Sequence, residues 1–150
     1  PGREASQLVR IAAPILEHTE AKEVAILIGT NDAKGETFRD PIPAEQYGKN
    51  LELILAWASV FGLRVYLSTI PLPYGFGAVA YTASVTDAIR DYNEEIRRIA
   101  AQTGVVLVEM SELAASCFGD GIHFTLQGAH AVALKMWLAM KRTRTFSPGG

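Results

Sequence analysis

The sequence predicts an α/β fold built on a parallel sheet, and three observations carry that reading. Short apolar runs alternate with longer segments whose apolar residues recur at helical spacing. No tight-turn signal joins two of the runs as a hairpin. The 150 residues, about half of them apolar, suit one core. Short strands joined by helical crossovers pair in parallel. A second domain would leave neither half enough interior, so residues 1–150 read as a single domain.

The elements follow in the order αβαβαβα. Residues 5–17 carry Leu8, Ile11, Ala12, Ile15 and Leu16 at helical spacing, with Pro14 inside, which is expected to kink or shorten the helix. Residues 23–28 hold the continuous run Val24, Ala25, Ile26, Leu27 and Ile28, the pattern of a strand buried on both faces, ended by Gly29. Residues 35–43, with Asp40-Pro41 and Pro43, form a loop. A helix over 44–61 places Tyr47, Leu51, Ile54, Leu55 and Ala58 on one stripe, and Gly62 caps it. Residues 64–70 are the second strand, closed by Pro71-Leu72-Pro73 and a loop over 74–77. The long helix 80–102 turns Val85, Ile89, Tyr92, Ile96 and Ile99 inward and ends before Gly104. Residues 105–109 make the third strand. A short helical turn over 111–115, a loop and a final helix over 125–141 complete the chain.

Composition excludes several classes. A formal net charge of -2 without a basic stripe argues against nucleic-acid binding, which needs clustered cations on one face. The cations between Lys141 and Arg144 read as a solvated helix end, with a binding patch as the alternative. A lone Cys117 makes no internal disulfide, so the redox compartment is not encoded. No apolar run is long enough for a membrane span, and no signal peptide is recognisable.

Two motifs bear chemistry, and both follow strands, where open parallel sheets gather their ligands. In Asp120-Gly121-Ile122-His123, a carboxylate and an imidazole three residues apart can form a dyad. The carboxylate fixes the tautomer and the ring acts as general base. The alternative is a turn at Asp120-Gly121, with Thr125 capping the last helix and His123 merely exposed. In Gly29-Thr30-Asn31-Asp32, the Asn31 amide can donate to an oxyanion, a contact whose removal typically costs about 3 kcal/mol of barrier. Asn31 is equally read as a turn former, and Asp32 as a structural turn or cap residue. His18 and His130 lie on helices away from strand ends and read as structural.

Together these motifs resemble the third and fifth sequence blocks of the SGNH (GDSL) hydrolase family, in the small single-domain bacterial esterase and lysophospholipase type. Pro1-Gly2, followed by Ala5, Ser6, Gln7 and Leu8, is similar to the second block. The resemblance implies a three-layer flavodoxin-like domain that hydrolyses acyl esters, thioesters or acetylated carbohydrates through a serine, with no cofactor. It makes His123 the base, Asp120 its partner, and Asn31 and the Gly2 N-H the oxyanion donors.

The departure from the family is the nucleophile. The Gly-Asp-Ser block is expected upstream of Pro1, and Ser6, Ser59, Ser68, Ser84, Ser111, Ser116 and Ser147 all lack its context. Residues 1–150 alone are therefore expected to be nearly inert, since losing the nucleophile costs about a millionfold in turnover. A non-catalytic ligand-binding or interaction domain of the same fold is the alternative. In the family the nucleophile strand lies beside the strand ending in the Gly-x-Asn-Asp block. The apolar edge at residues 24–28 is thus expected to self-associate or accept a partner strand.

Overall fold

Three parallel strands, β1 (Glu23–Ile26), β2 (Arg64–Ser68) and β3 (Val106–Val108), stand side by side in the order β1-β2-β3. The computed structural model describes residues 4–34, 40–73 and 83–145. Ile26, Leu67 and Leu107 occupy one row across the sheet. Helix α1 (Ala5–Glu17) precedes β1, α2 (Thr30–Lys34) and α3 (Ala44–Val60) link β1 to β2, and α4 (Ala83–Thr103) links β2 to β3. A 3-10 turn at Ala115–Cys117 leads into α5 (Leu126–Thr145).

Alternation along the strands separates two cores, as the pleat requires. Ile26, Val65 and Leu67 face Leu51, Ile54, Ile89, Tyr92 and Ile96 in a cluster shared with α1, α3 and α4. Tyr66 and Val108 face the other way, onto Met110, Leu113, Cys117 and Phe118, with Val132 and Met136 of α5 packed against them. The result is a three-layer α/β/α arrangement, as the family resemblance implies, around the parallel sheet that the periodicity predicts.

The strands end sooner than their apolar runs, and side chains explain why. The Asn93 amide binds both the N-H and the C=O of Ile70, at 2.6 and 2.8 Å. The Thr69 hydroxyl accepts the N-H groups of Met110 and Ser111, at 2.7 and 3.0 Å. The Tyr47 hydroxyl donates to the Ile28 carbonyl at 2.9 Å. These bonds satisfy backbone groups that a longer ladder would otherwise use.

Three further expectations change. Pro14 does not shorten α1, which continues past it to Glu17. Where one short helical turn over 111–115 is expected, the chain makes a turn at Ser111 and Glu112, closed by Leu113 N-H on Met110 O at 3.2 Å, and then the separate 3-10 turn. Helix α5 runs on to Thr145, held there by Thr143 against the Tyr66 hydroxyl at 2.7 Å and by Arg144 against Glu23 at 2.6 Å. The cations near its end therefore pair, as with Arg144, or cover an aromatic ring, as Lys141 covers Trp137. The loop over 74–77 and the start of the long helix before Ala83 lie outside the described residues.

Strand β1 is not buried on both faces. Among the described residues it pairs only with β2, so it forms a sheet edge on which Ala25 and Leu27 are exposed. Beside it runs an apolar groove of about 240 Å³, lined by Leu8, Ala12, Ile15, Ile26, Ile54 and Ala58 among others. An apolar edge with unpaired backbone groups invites another strand.

Residues 1–150 should accordingly self-associate with rising concentration in size-exclusion chromatography. Ala25→Lys, a charge on the exposed edge, should shift the population to monomer while changing stability by less than about 0.5 kcal/mol. A wild-type chain that elutes as a monomer at every concentration would count against a sticky edge.

Candidate active site

The loop between the 3-10 turn and α5 is tied down at both ends. Thr125 N-H donates to Cys117 O at 2.9 Å and Gly119 N-H to His123 O at 2.8 Å, while the rings of Phe118 and Phe124 lie 5.3 Å apart. The Thr125 hydroxyl accepts Gly128 N-H at 3.1 Å, the N-cap bond of α5. Gly121, at φ 93°, takes the left-handed conformation that lets the chain turn back here.

This turn brings the His123 ring onto Asp120. Oδ1 of Asp120 accepts the N-H groups of Ile122 and His123 at 3.0 and 2.7 Å, and Oδ2 lies 2.6 Å from His123 Nδ1. The His123 hydrogen bond, then the two backbone N-H groups, hold the Asp120 carboxyl well below the usual carboxylate range. A carboxylate so placed keeps the proton of the neutral ring on Nδ1 and leaves Nε2 as the basic nitrogen. The His123 side chain is 83% exposed, so that nitrogen is open to a reactant. Thr125 thus caps α5, and the Asp120–His123 contact forms beside it.

The other motif leaves β1. Gly29 has φ 128°, and a Cβ there would overlap Ile70 Cδ1 and press on the Tyr47 ring. Asn31 sits in the first turn of α2, half-buried. Asp32 corrects its expected role as a local turn former. Its side chain is fully buried, and both carboxylate oxygens accept the Ala5 N-H, at 2.9 and 3.0 Å.

The two motifs meet at one cavity of about 80 Å³. Thr30 of one motif and Gly121 and Ile122 of the other line it, whereas Asn31, Asp120 and His123 do not. Leu27, Pro71, Pro73, Phe118 and Phe124 complete the wall. Sequence reasoning did not single out these wall residues; the signals were Phe118 and Phe124 bracketing the dyad and the proline pair after β2. Gly2 lies outside the described residues, as do Ser147 and the loop 74–81. His18 ends α1, with Nδ1 2.8 Å from Pro14 O, and His130 is exposed on α5.

No described serine hydroxyl bonds the His123 ring. Ser6 donates to Glu4 and Ser111 to Glu109, at 3.3 Å each, while Ser59 and Ser84 lie on helices. Ser68 is buried in β2, its hydroxyl without a hydrogen-bond partner among the described residues. Ser116 meets the loop through its carbonyl, which accepts the Thr125 hydroxyl at 3.2 Å.

The model of the GDSL-like lipase/acylhydrolase family matches residues 2–131. Among solved structures, a GDSL-like lipase from Bacteroides thetaiotaomicron superposes with TM-score 0.78 at 19% identity, over 95% of this chain and 73% of that one. An acetyl xylan esterase gives TM-score 0.77 at 20% identity, over 92% and 76%. A psychrotrophic esterase from Pseudoalteromonas sp. gives 0.70 at 17%, over 96% and 74%. At these identities the likeness establishes the fold. No curated protein sequence matches the chain.

The dyad geometry fixes a tautomer that nitrogen NMR can read. Neutral His123 should carry its proton on Nδ1, and Asp120→Ala should move it predominantly to Nε2. A wild-type ring already protonated on Nε2 would show that the 2.6 Å contact does not form in solution.

Proposed function

Because the chain belongs to the GDSL-like lipase/acylhydrolase family, we propose that it is the base- and oxyanion-bearing part of a serine ester hydrolase. The observation that carries this reading is the His123–Asp120 bond of 2.6 Å, made across a turn whose Gly121 and Ile122 line the small cavity. The substrate is an acyl ester, a thioester or an acetylated carbohydrate. Names among its structural neighbours, a GDSL-like lipase and an acetyl xylan esterase, support that range.

In this mechanism a serine hydroxyl attacks the acyl carbonyl while His123 Nε2 takes its proton. Asp120 stabilises the imidazolium. The Asn31 amide and the Gly2 N-H donate to the oxyanion of the tetrahedral intermediate. His123 then protonates the leaving oxygen or sulfur, and the acyl group stays on the serine. A water molecule, deprotonated by His123, releases the acid and restores the hydroxyl. The serine comes from outside the described residues, on a strand that pairs with the open edge of β1. The apolar groove beside that edge supports such a seat.

One observation favours a second reading, a non-catalytic ligand-binding domain: the His123 ring accepts no described serine hydroxyl. A fluorophosphonate probe separates the two. The chain extended by whatever its gene encodes upstream should label at a serine, whereas residues 1–150 alone should not. In the labelling form, His123→Ala should lower kcat by about 10⁴ to 10⁶ and Asn31→Ala by about 10² to 10³. An upstream sequence without a Gly-Asp-Ser strand, or an extended chain that never labels, would overturn the esterase reading.

A further inference from the structure

Asp32 is a buried carboxylate that the proposed chemistry does not use. It is fully buried and takes part in no ion pair among the described residues. A buried charge without a cation is costly unless donors and dipoles stabilise it. Here the donor is the Ala5 N-H, which reaches both oxygens and is one of the four amides that the start of α1 leaves without an intrahelical partner. The helix dipole of α1, positive at this end, acts in the same direction.

The same short segment is held from every side. The Asp32 carbonyl accepts Ile42 N-H at 3.1 Å, and Ala33 N-H donates to Gly29 O at 2.9 Å. Tyr47 and Tyr92 stack with ring centroids 4.2 Å apart, and their hydroxyls close onto the carbonyls of Ile28 and Ile42. Asn31 lies between Gly29 and Asp32 in this clamp, so the placement of its amide depends on where α1 and the α2 turn are fixed.

We propose that Asp32 is a positioning residue whose buried carboxylate holds the first turn of α1 against the turn carrying Asn31. It thereby keeps the oxyanion side of the proposed site in register. The word oxyanion rests on the esterase reading; the clamp itself does not.

The groups facing Asp32 define its titration. Burial raises its pKa to about 6, the Ala5 N-H works against that rise, and the nearby Glu4 charge adds to it. Burial first, then the Asp32 charge, push the Tyr47 and Tyr92 phenols well above their ordinary range, so neither titrates near neutrality. Because the folded value lies above the unfolded one, the charged form burdens the fold above pH 6. That burden lifts as pH falls towards the ordinary aspartate range.

The experiment is a pH series of amide spectra on residues 1–150. In the wild type the Ala5 amide should titrate with a midpoint near 6, and in Glu4→Gln, which removes a charge that raises it, at a lower pH. In Asp32→Asn, whose side-chain oxygen can still accept one bond, that titration should vanish and the Asn31 side-chain amide signals should move, with the fold retained. In the serine-bearing gene product, Asp32→Asn should lower kcat about tenfold or more with KM within about twofold. An Ala5 amide that does not titrate, or unmoved Asn31 signals in Asp32→Asn, would overturn the proposal. Loss of hydrolysis from the wild type itself would sink the esterase reading alone, because the amide spectra decide the clamp without turnover.

Discussion

The parallel register of three strands is the constraint on which the site depends. Ile26, Leu67 and Leu107 stand in one row, so β1 and β3 deliver their following residues to the same rim, about 10 Å apart across β2. Asn31 follows β1 almost at once. The dyad leaves β3 by a longer path and must return, which the Phe118–Phe124 bridge and the bonds of Gly119 and Thr125 accomplish. Pro71 and Pro73, just beyond β2, line the same cavity as Thr30, Gly121 and Ile122. A one-residue slip of either outer strand would turn its side chains to the opposite face and part the motifs.

The same rim treats two carboxylates in opposite ways. Asp120 is partly exposed and accepts two backbone N-H groups and a histidine, so it stays ionised and acts on the ring beside it. Asp32 is fully buried, and the backbone N-H groups of Ala5 and of Asp32 itself do not offset that burial, so its pKa is raised to about 6. One carboxylate is bonded to an imidazole; the other is bonded to a backbone N-H. Environment rather than residue type separates the roles.

Much of this was legible in the sequence. The succession of strands and helices and the helical faces follow from apolar periodicity, because residues such as Leu51, Ile54, Tyr92 and Ile96 are buried where a 3.6-residue repeat puts them. The dyad was legible because its members are three residues apart and a glycine turn joins them. Asp32 was misread, since its partner Ala5 is 27 residues away and nothing local marks such a bond. Strand ends were overextended for a similar reason: Asn93 and Thr69 replace ladder bonds with side-chain ones across the fold. The burial of β1 on both faces also failed, because an apolar run records what a strand is suited to meet and not whether a neighbour is there.

The account turns on Asn31 and His123 serving one reacting centre. The most direct measurement is a crystal structure of the serine-bearing gene product trapped by a phosphonate. The account predicts that the Asn31 amide donates to the phosphoryl oxygen, with His123 Nε2 within about 3 Å of the serine oxygen or the leaving position. An adduct whose oxygen turns away from Asn31, or whose serine lies beyond reach of His123 while the dyad stays intact, would contradict it.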